Sequence, residues 1–337
     1  DGPATLPGLA GPPRPQYSEK TLHARHAGGV EFELCHISNL KYSNDSRPCR
    51  NNPVRREFYM IENISALLRL NDGMEMPGFG FGCYKASGPE LALAVREAVA
   101  CGYRYIDTAA YYHNEDTVGE ALRQSGQPRE TLFVLSKIWP TDFAEPVRAL
   151  EQSLKLLGLD YLDGCLLHWP GLDDARRLRA FEQLLRQKEQ GKIRVLGVSN
   201  FLAEHLSEMR DTFGFWPALN QIEVHPLFSQ AGLCRFCAQC GIQVVSWSPL
   251  GRGRDMEQPV VRELAATLNK TPAQILLRWH LEKGLLPIPK SVHRERIREN
   301  SEVFDFRLTS EQVAALDDLE LPDGQGRMGP DPLTYPR

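Results

Sequence analysis

A tyrosine, a lysine, an aspartate and a histidine, at 112, 137, 107 and 168, each fall at or just past a segment that reads as a β-strand. Together these types suit reduction of a carbonyl. Hydride arriving at the carbon builds negative charge on the oxygen, which then needs a proton donor. A free tyrosine, with a pKa of about 10, is a weak acid at neutral pH. An ammonium from Lys137 beside Tyr112 favours the phenolate and so makes a better donor. Asp107 can keep Lys137 charged and oriented, and His168 can hydrogen-bond the developing oxyanion. Taken singly, each has a plainer reading: Asp107 as a cap, Lys137 as a solvated terminus, His168 as a satisfied core histidine.

The elements that must position these groups alternate along the chain. Strand patterns cover 79–83, 104–107, 132–137, 163–168, 193–198, 219–224, 242–247 and 285–289. Helical patterns cover 89–101, 114–125, 145–157, 174–190, 202–213, 229–240, 257–283 with a break near Thr271-Pro272, and 293–301. A last helix near 309–319 opens with the capping-box residues Thr309 and Gln312. Two short alternating segments over 66–80, joined by Asp72-Gly73, predict a hairpin with a type I′ turn. Strands that alternate with helices predict a parallel sheet buried on both faces. The expectation is an α/β protein, a (β/α)8 TIM barrel whose bottom the hairpin closes. Gly78, Gly80 and Gly82 lack the spacing of a dinucleotide glycine loop and open no helix, so they fit a strand that neighbours approach closely.

In such a barrel the site forms at the C-terminal strand ends. Strand two presents Asp107, then Tyr112; strand three ends in Lys137 and strand four in His168-Trp169. Strand five ends in Ser199-Asn200, strand six carries Gln221, strand seven ends in Trp247, and strand eight leads to Lys290-Ser291. Two cations, Lys290 and Arg296, with the Ser291 hydroxyl at a helix start, make an anion site.

Composition narrows the classes. With 42% hydrophobic and 24% charged residues and a net charge of −4, no basic stripe offers itself to nucleic acid or to an anionic membrane. No apolar run is long enough to span a bilayer. Residues 1–59, rich in Pro, Gly, Arg and Asn, are expected to form a disordered extension foreign to the native protein, with Met60 as the natural start and 60–337 as the barrel domain. No secretory signal pattern precedes it, so the expected compartment is the cytoplasm and the cysteines are expected to be free thiols. Cys83, Cys101, Cys165 and Cys237 sit in apolar settings; the Cys234, Cys237, Cys240 series lacks a fourth ligand and reads as helix packing, with no metal.

Several stretches, among them GYRYIDTAAYYHNE, LFVLSKIW, LLHWP, GVSNF, NQIEVHP, SWSPLGRG and IPKSVHRERIREN, resemble the aldo-keto reductase superfamily in content and order, from Leu67 to the C-terminus. The ending GRMGPDPLTYP resembles its bacterial 2,5-diketogluconate reductase or prostaglandin F synthase-like branch. The resemblance implies a catalytic tetrad of Asp107, Tyr112, Lys137 and His168, with Tyr112 the general acid, and NADPH as cofactor. It further implies that Ser199, Asn200 and Gln221 hold the carboxamide and that Trp247 stacks on the nicotinamide. The loop carrying Ser248, Leu250 and Gly251 would cover the pyrophosphate. Lys290, Ser291 and Arg296 would hold the 2′-phosphate, with Glu299 and Asn300 at the adenine.

His293 stands where relatives carry Thr or Arg, and Tyr84 where Trp is frequent. Tyr84 and Trp169 predict an aromatic-walled pocket for an apolar or planar carbonyl compound, and a short connection over 171–174 predicts an open mouth. The expected protein is a monomer whose partner is a small-molecule carbonyl substrate. Two other classes remain open at this stage: a Schiff-base lyase using Lys137, and a non-catalytic cofactor-binding member of the superfamily.

Overall fold

The computed structural model describes residues 61–335, together with the backbone of two short strands further upstream. The chain divides into residues 1–48 and residues 49–337. In the first unit, β1 (Thr21–Ala24) pairs antiparallel with β2 (Phe32–Cys35). The extension expected over 1–59, and Met60 as a start, otherwise lie outside the described residues.

The second unit opens with a hairpin of β3 (Leu67–Arg69) and β4 (Glu75–Pro77). Its turn departs from the expected type I′, which needs positive φ at two residues. Leu70 and Met74 still pair, with Leu70 N donating to Met74 O at 2.8 Å, and between them only Gly73 has a positive φ, of 83°. The result is a three-residue loop, in which the glycine alone takes the left-handed position.

Eight parallel strands follow, hydrogen-bonded in chain order: β5 (Gly80–Gly82), β6 (Tyr105–Asp107), β7 (Phe133–Ile138), β8 (Leu162–Leu167), β9 (Ile193–Ser199), β10 (Leu219–Glu223), β11 (Gln243–Trp247) and β12 (Leu286–Pro287). Gly82 N donates to Pro289 O at 3.0 Å, which brings the first and last strands together. This is a (β/α)8 barrel. β12 is shorter than its pattern because Pro287 and Pro289 have no N–H to donate to a ladder. Gly80 is required where the ends meet: a Cβ there would lie 2.4 Å from the Tyr105 ring and 2.8 Å from Ile288. β7 and β8 are buried along their whole length, as an interior parallel sheet demands.

The helices are α1 (Gly88–Ala100), α2 (Glu115–Gln124), α3 (Pro146–Leu157), α4 (Asp174–Glu189), α5 (Ala203–Phe213), α6 (Ala231–Gln239), α7 (Pro259–Leu268), α8 (Pro272–Glu282), α9 (Arg294–Ser301) and α10 (Ser310–Asp317). The long pattern over 257–283 splits because Asn269 turns left-handed at φ 51° and Thr271 caps a new helix that has proline in its first turn. Capping boxes close on Thr271 with Gln274 and on Thr309 with Gln312. Cys83, Cys165 and Cys237 are buried as expected, but Cys101 is only partly so. It stands at the end of α1, its thiol 3.7 Å from Glu97. Cys240 is buried instead, because α6 ends at Gln239 and the chain turns inward. Among the described residues no group of His, Cys, Asp and Glu could hold a metal ion, and no helix is long and apolar enough to cross a membrane.

Candidate active site

Asp107 ends β6 and Lys137 lies near the end of β7, so adjacent strands bring them together. Lys137 Nζ donates to Asp107 Oδ1 at 2.6 Å and to Thr108 O at 2.7 Å, and lies 3.4 Å from the Tyr112 hydroxyl. Lys137 is fully buried. The second oxygen of Asp107 accepts from Gln221 Nε2 at 2.6 Å and from the Tyr105 hydroxyl at 3.0 Å. Tyr112, from the short turn after β6, packs edge-on to His168 with ring centroids 5.5 Å apart. The four residues singled out at strand ends thus meet in one place.

Their charges follow from this packing. Burial lowers the Lys137 pKa, while the charge and hydrogen bond of Asp107 oppose that fall. Burial, then Asp107, holds Tyr112 well above the ordinary phenol range. This departs from the expected shift toward phenolate. The ammonium sits closer to Asp107 and Thr108 than to the phenol, and the carboxylate behind it works against a second negative charge. Tyr112 is therefore a stored proton. Burial and the Lys137 charge push His168 well below its usual value, so its ring is neutral. His168 Nδ1 is buried with no hydrogen-bond partner.

Beside this centre lies a run of polar groups from the next three strands. Ser199 Oγ donates to Gln221 O at 2.8 Å, and Asn200 Nδ2 to His168 O at 2.9 Å. Trp247 Nε1 donates to Asn200 Oδ1 at 2.8 Å, which fixes the half-buried indole at the end of β11. Because the Gln221 amide N–H is used on Asp107, its carbonyl remains for an amide donor. Ser248, Leu250 and a buried Gly251 form the turn that follows. Past β12, Lys290 is exposed and Ser291 buried; Arg296 is exposed on α9 and Asn300 buried. Glu97 pairs with Arg294 and Arg298, whereas Lys290 and Arg296 carry no ion pair among the described residues. Glu299 already accepts from Thr271 at 2.6 Å. Unpaired cations at one end, a fixed indole and a free amide acceptor at the other fit a phosphorylated nicotinamide dinucleotide.

Comparison with known proteins agrees. Residues 79–321 match the Aldo/keto reductase family. Methylglyoxal reductase DkgA of Yersinia pestis is 47% identical over 274 residues, covering 81% of this chain and 98% of that protein. The uncharacterized oxidoreductase YtbE of Bacillus subtilis is 43% identical over 283 residues, 82% of this chain and 99% of that one. Among solved structures, a Gox0644 variant in complex with NADPH superposes with a TM-score of 0.76 at 37% identity, over 81% of this chain and 99% of that one. An aldo/keto reductase from Brucella melitensis gives 0.73 at 39%, over 76% and 99%.

The chain belongs to the aldo/keto reductase family. It is therefore an oxidoreductase, and the likeness to DkgA agrees with the branch to which its ending is similar.

This aldo/keto reductase has an aromatic mouth around Asp107, Tyr112, Lys137 and His168. Tyr84 lies 4.9 Å from the Tyr112 ring and is exposed. Tyr111 stacks on Trp139 at 3.8 Å, and Trp139 stands edge-on to His168 at 5.0 Å. Tyr335, from the C-terminal segment, packs 4.9 Å from Trp169 and 6.0 Å from Trp139. The sequence pattern singles out only Tyr84 and Trp169 of these. Trp139 stands two residues past Lys137 and Tyr111 precedes Tyr112, a proximity that could have flagged both. Tyr105 was legible as the residue sharing a strand face with Asp107. Tyr335 leaves no local signal.

Proposed function

We propose that this protein reduces aldehydes and ketones to alcohols with NADPH, through Tyr112, Lys137, Asp107 and His168. The observation that carries the reading is the contact of a buried, carboxylate-held ammonium with a protonated phenol beside a neutral histidine. When bound, NADPH supplies the hydride that reaches the carbonyl carbon. Tyr112 gives its proton to the oxygen, Lys137 steadies the phenolate left behind, and neutral His168 orients the carbonyl oxygen. Asp107 keeps Lys137 charged against its burial. Ser199, Asn200 and Gln221 would hold the carboxamide, Trp247 would stack on the nicotinamide, and the turn through Ser248, Leu250 and Gly251 would hold the pyrophosphate. Lys290, Ser291 and Arg296 would bind the 2′-phosphate, with Glu299 and Asn300 at the adenine.

The substrates are apolar or planar carbonyl compounds that enter between Tyr84 and Trp169, and small 2-oxoaldehydes of the kind named for the DkgA relatives. The protein acts as a cytoplasmic monomer without nucleic-acid or membrane partners; light scattering on the purified chain tests the monomeric state. A Schiff base at Lys137 is disfavoured, because a lysine held as the ammonium by Asp107 and Thr108 has no lone pair with which to attack a carbonyl. The experiment is a panel of aldehydes and ketones, including methylglyoxal and 4-nitrobenzaldehyde, run in parallel with NADPH and NADH. Turnover that persists in Tyr112→Phe would sink the mechanism, and absent turnover in the native chain would favour a non-catalytic role.

A further inference from the structure

Behind Trp247 lies a charged cluster that the reduction itself does not use. His225 is fully buried, with Nδ1 2.9 Å from Asp255 Oδ2 and Nε2 3.3 Å from Glu223 Oε1. Both carboxylates are buried as well. A neutral imidazole donates from one nitrogen only, whereas the imidazolium donates from both and so pairs with both carboxylates. Burial alone would push the His225 pKa down, but the two carboxylates outweigh it and raise it.

Each carboxylate holds a different segment. Glu223 accepts from the backbone N–H of Met328 at 2.7 Å and of Gly329 at 2.9 Å. Gly329 packs so close that a Cβ there would lie 2.5 Å from the Trp247 ring. This segment runs on to Tyr335 at the aromatic mouth. Asp255 follows the turn after β11 and also accepts from Leu227 N at 3.0 Å. Gly251, at φ +56°, rests directly on Asp255: a Cβ there would lie 1.7 Å from Oδ1. Next to it, Arg254 donates to Gly326 O at 2.7 Å, a second tie between the same two segments.

We propose that His225, bridging Asp255 and Glu223, is a positioning residue that locks the turn covering the dinucleotide to the C-terminal segment walling the substrate mouth. This rests on the reading above for what the two walls hold. It assigns a shared support to the cofactor and substrate sites, so loosening one loosens the other. The groups that face His225 are Glu223 on β10, Asp255 beyond the turn and His280 on α8. His280 is pushed down to about 3, so it stays neutral, and Lys283 at the end of α8 is held by Asp317.

The test uses the full chain and its His225→Gln variant. NADPH affinity is read by quenching of tryptophan fluorescence, KM with 4-nitrobenzaldehyde and with methylglyoxal, and the hydride step by single turnover at saturation. The expected result is a rise on the order of tenfold in both the NADPH Kd and the KM for the aromatic aldehyde. The hydride step and the KM for methylglyoxal should stay near native. In the native chain both constants should rise together as the pH climbs through the His225 pKa, because the clamp is complete only while the ring is charged. That trend should vanish in the variant, whereas ionisation of the 2′-phosphate near pH 6 affects both proteins alike. A fall in thermal stability with both constants unchanged would overturn the proposal, as would a change in only one of them. If His225→Gln fails to fold, the exposed Arg254→Ala decides in the same way: a parallel, smaller rise supports the lock and unchanged constants overturn it. Failure of the native chain to bind NADPH would instead overturn the functional reading beneath it.

Discussion

Lys137 Nζ lies 2.6 Å from Asp107 Oδ1 and 3.4 Å from the Tyr112 hydroxyl, so the carboxylate rather than the phenol is the first partner of the buried ammonium. The aspartate therefore opposes the pull of burial against the lysine's charge. Asp107→Asn removes that charge and leaves Lys137 buried with the Thr108 carbonyl, at 2.7 Å, as its nearest partner. Breaking one side of a buried pair costs about 3–5 kcal/mol, and the lysine relieves part of it by losing its proton. Turnover should fall by about two orders of magnitude, with stability lowered in denaturant titration. An Asp107→Asn protein with native turnover would show that the ammonium needs no carboxylate.

The protonated state of Tyr112 sets opposite pH trends for the two reaction directions. Burial and Asp107 raise its pKa, so the phenol that reduction needs persists beyond the ordinary value of about 10. Lys137 is shifted the other way, below its usual value, and its loss of charge should bring the first alkaline decline. With NADPH and substrate saturating, reduction should stay level through neutral pH and fall on the alkaline side. Alcohol oxidation with NADP+ needs the phenolate and should rise with pH across the same neutral range. Initial rates in both directions, over one buffer series, check this; oxidation that falls with pH would contradict the assignment.

Most of the barrel was legible because its signals are local. Alternation of strand and helix patterns, proline in first turns and capping boxes at Thr271 and Thr309 each act within a few residues. Strand-end polarity likewise gathers Asp107, Tyr112, Lys137 and His168 from the sequence. What escaped depends on long-range packing. The direction of the Tyr112 shift requires knowing that the phenol is buried and that the Asp107 carboxylate stands near it. Glu223 and His225 stand in NQIEVHP as an ordinary strand end, and nothing near them in sequence announces Asp255 or the amides of Met328 and Gly329. The three-residue hairpin loop was missed for a smaller reason: Asp-Gly suits a two-residue turn, but the pairing of Leu70 with Met74 leaves room for one residue more.

The two unpaired cations past β12 predict cofactor preference. Glu97 pairs with Arg294 and Arg298, while Lys290 and Arg296 remain available to an anion. Arg296→Ala should weaken NADPH by on the order of tenfold or more and leave NADH almost unaffected, because only NADPH carries the 2′-phosphate. Lys290→Ala should act in the same direction. Fluorescence titration with both nucleotides measures the difference. Equal losses for NADPH and NADH would mean that these residues support the fold or the adenine rather than the phosphate.

Tyr335 should set which carbonyls bind well. Its ring lies 4.9 Å from Trp169 and 6.0 Å from Trp139, and Trp139 in turn stands edge-on to His168 at 5.0 Å. A planar substrate entering toward Tyr112 can stack within this aromatic frame, whereas a three-carbon dicarbonyl is too small to span it. An aromatic pair contributes about 0.5–1.5 kcal/mol beyond area burial. Tyr335→Ala should therefore raise KM for 4-nitrobenzaldehyde by about three- to tenfold while leaving kcat and the methylglyoxal KM near native. The proton donor is untouched, so the loss belongs to binding and not to the chemical step. A matched fall in kcat for both substrates would place Tyr335 in the support of the tetrad instead, and an unchanged aromatic KM would remove it from the pocket.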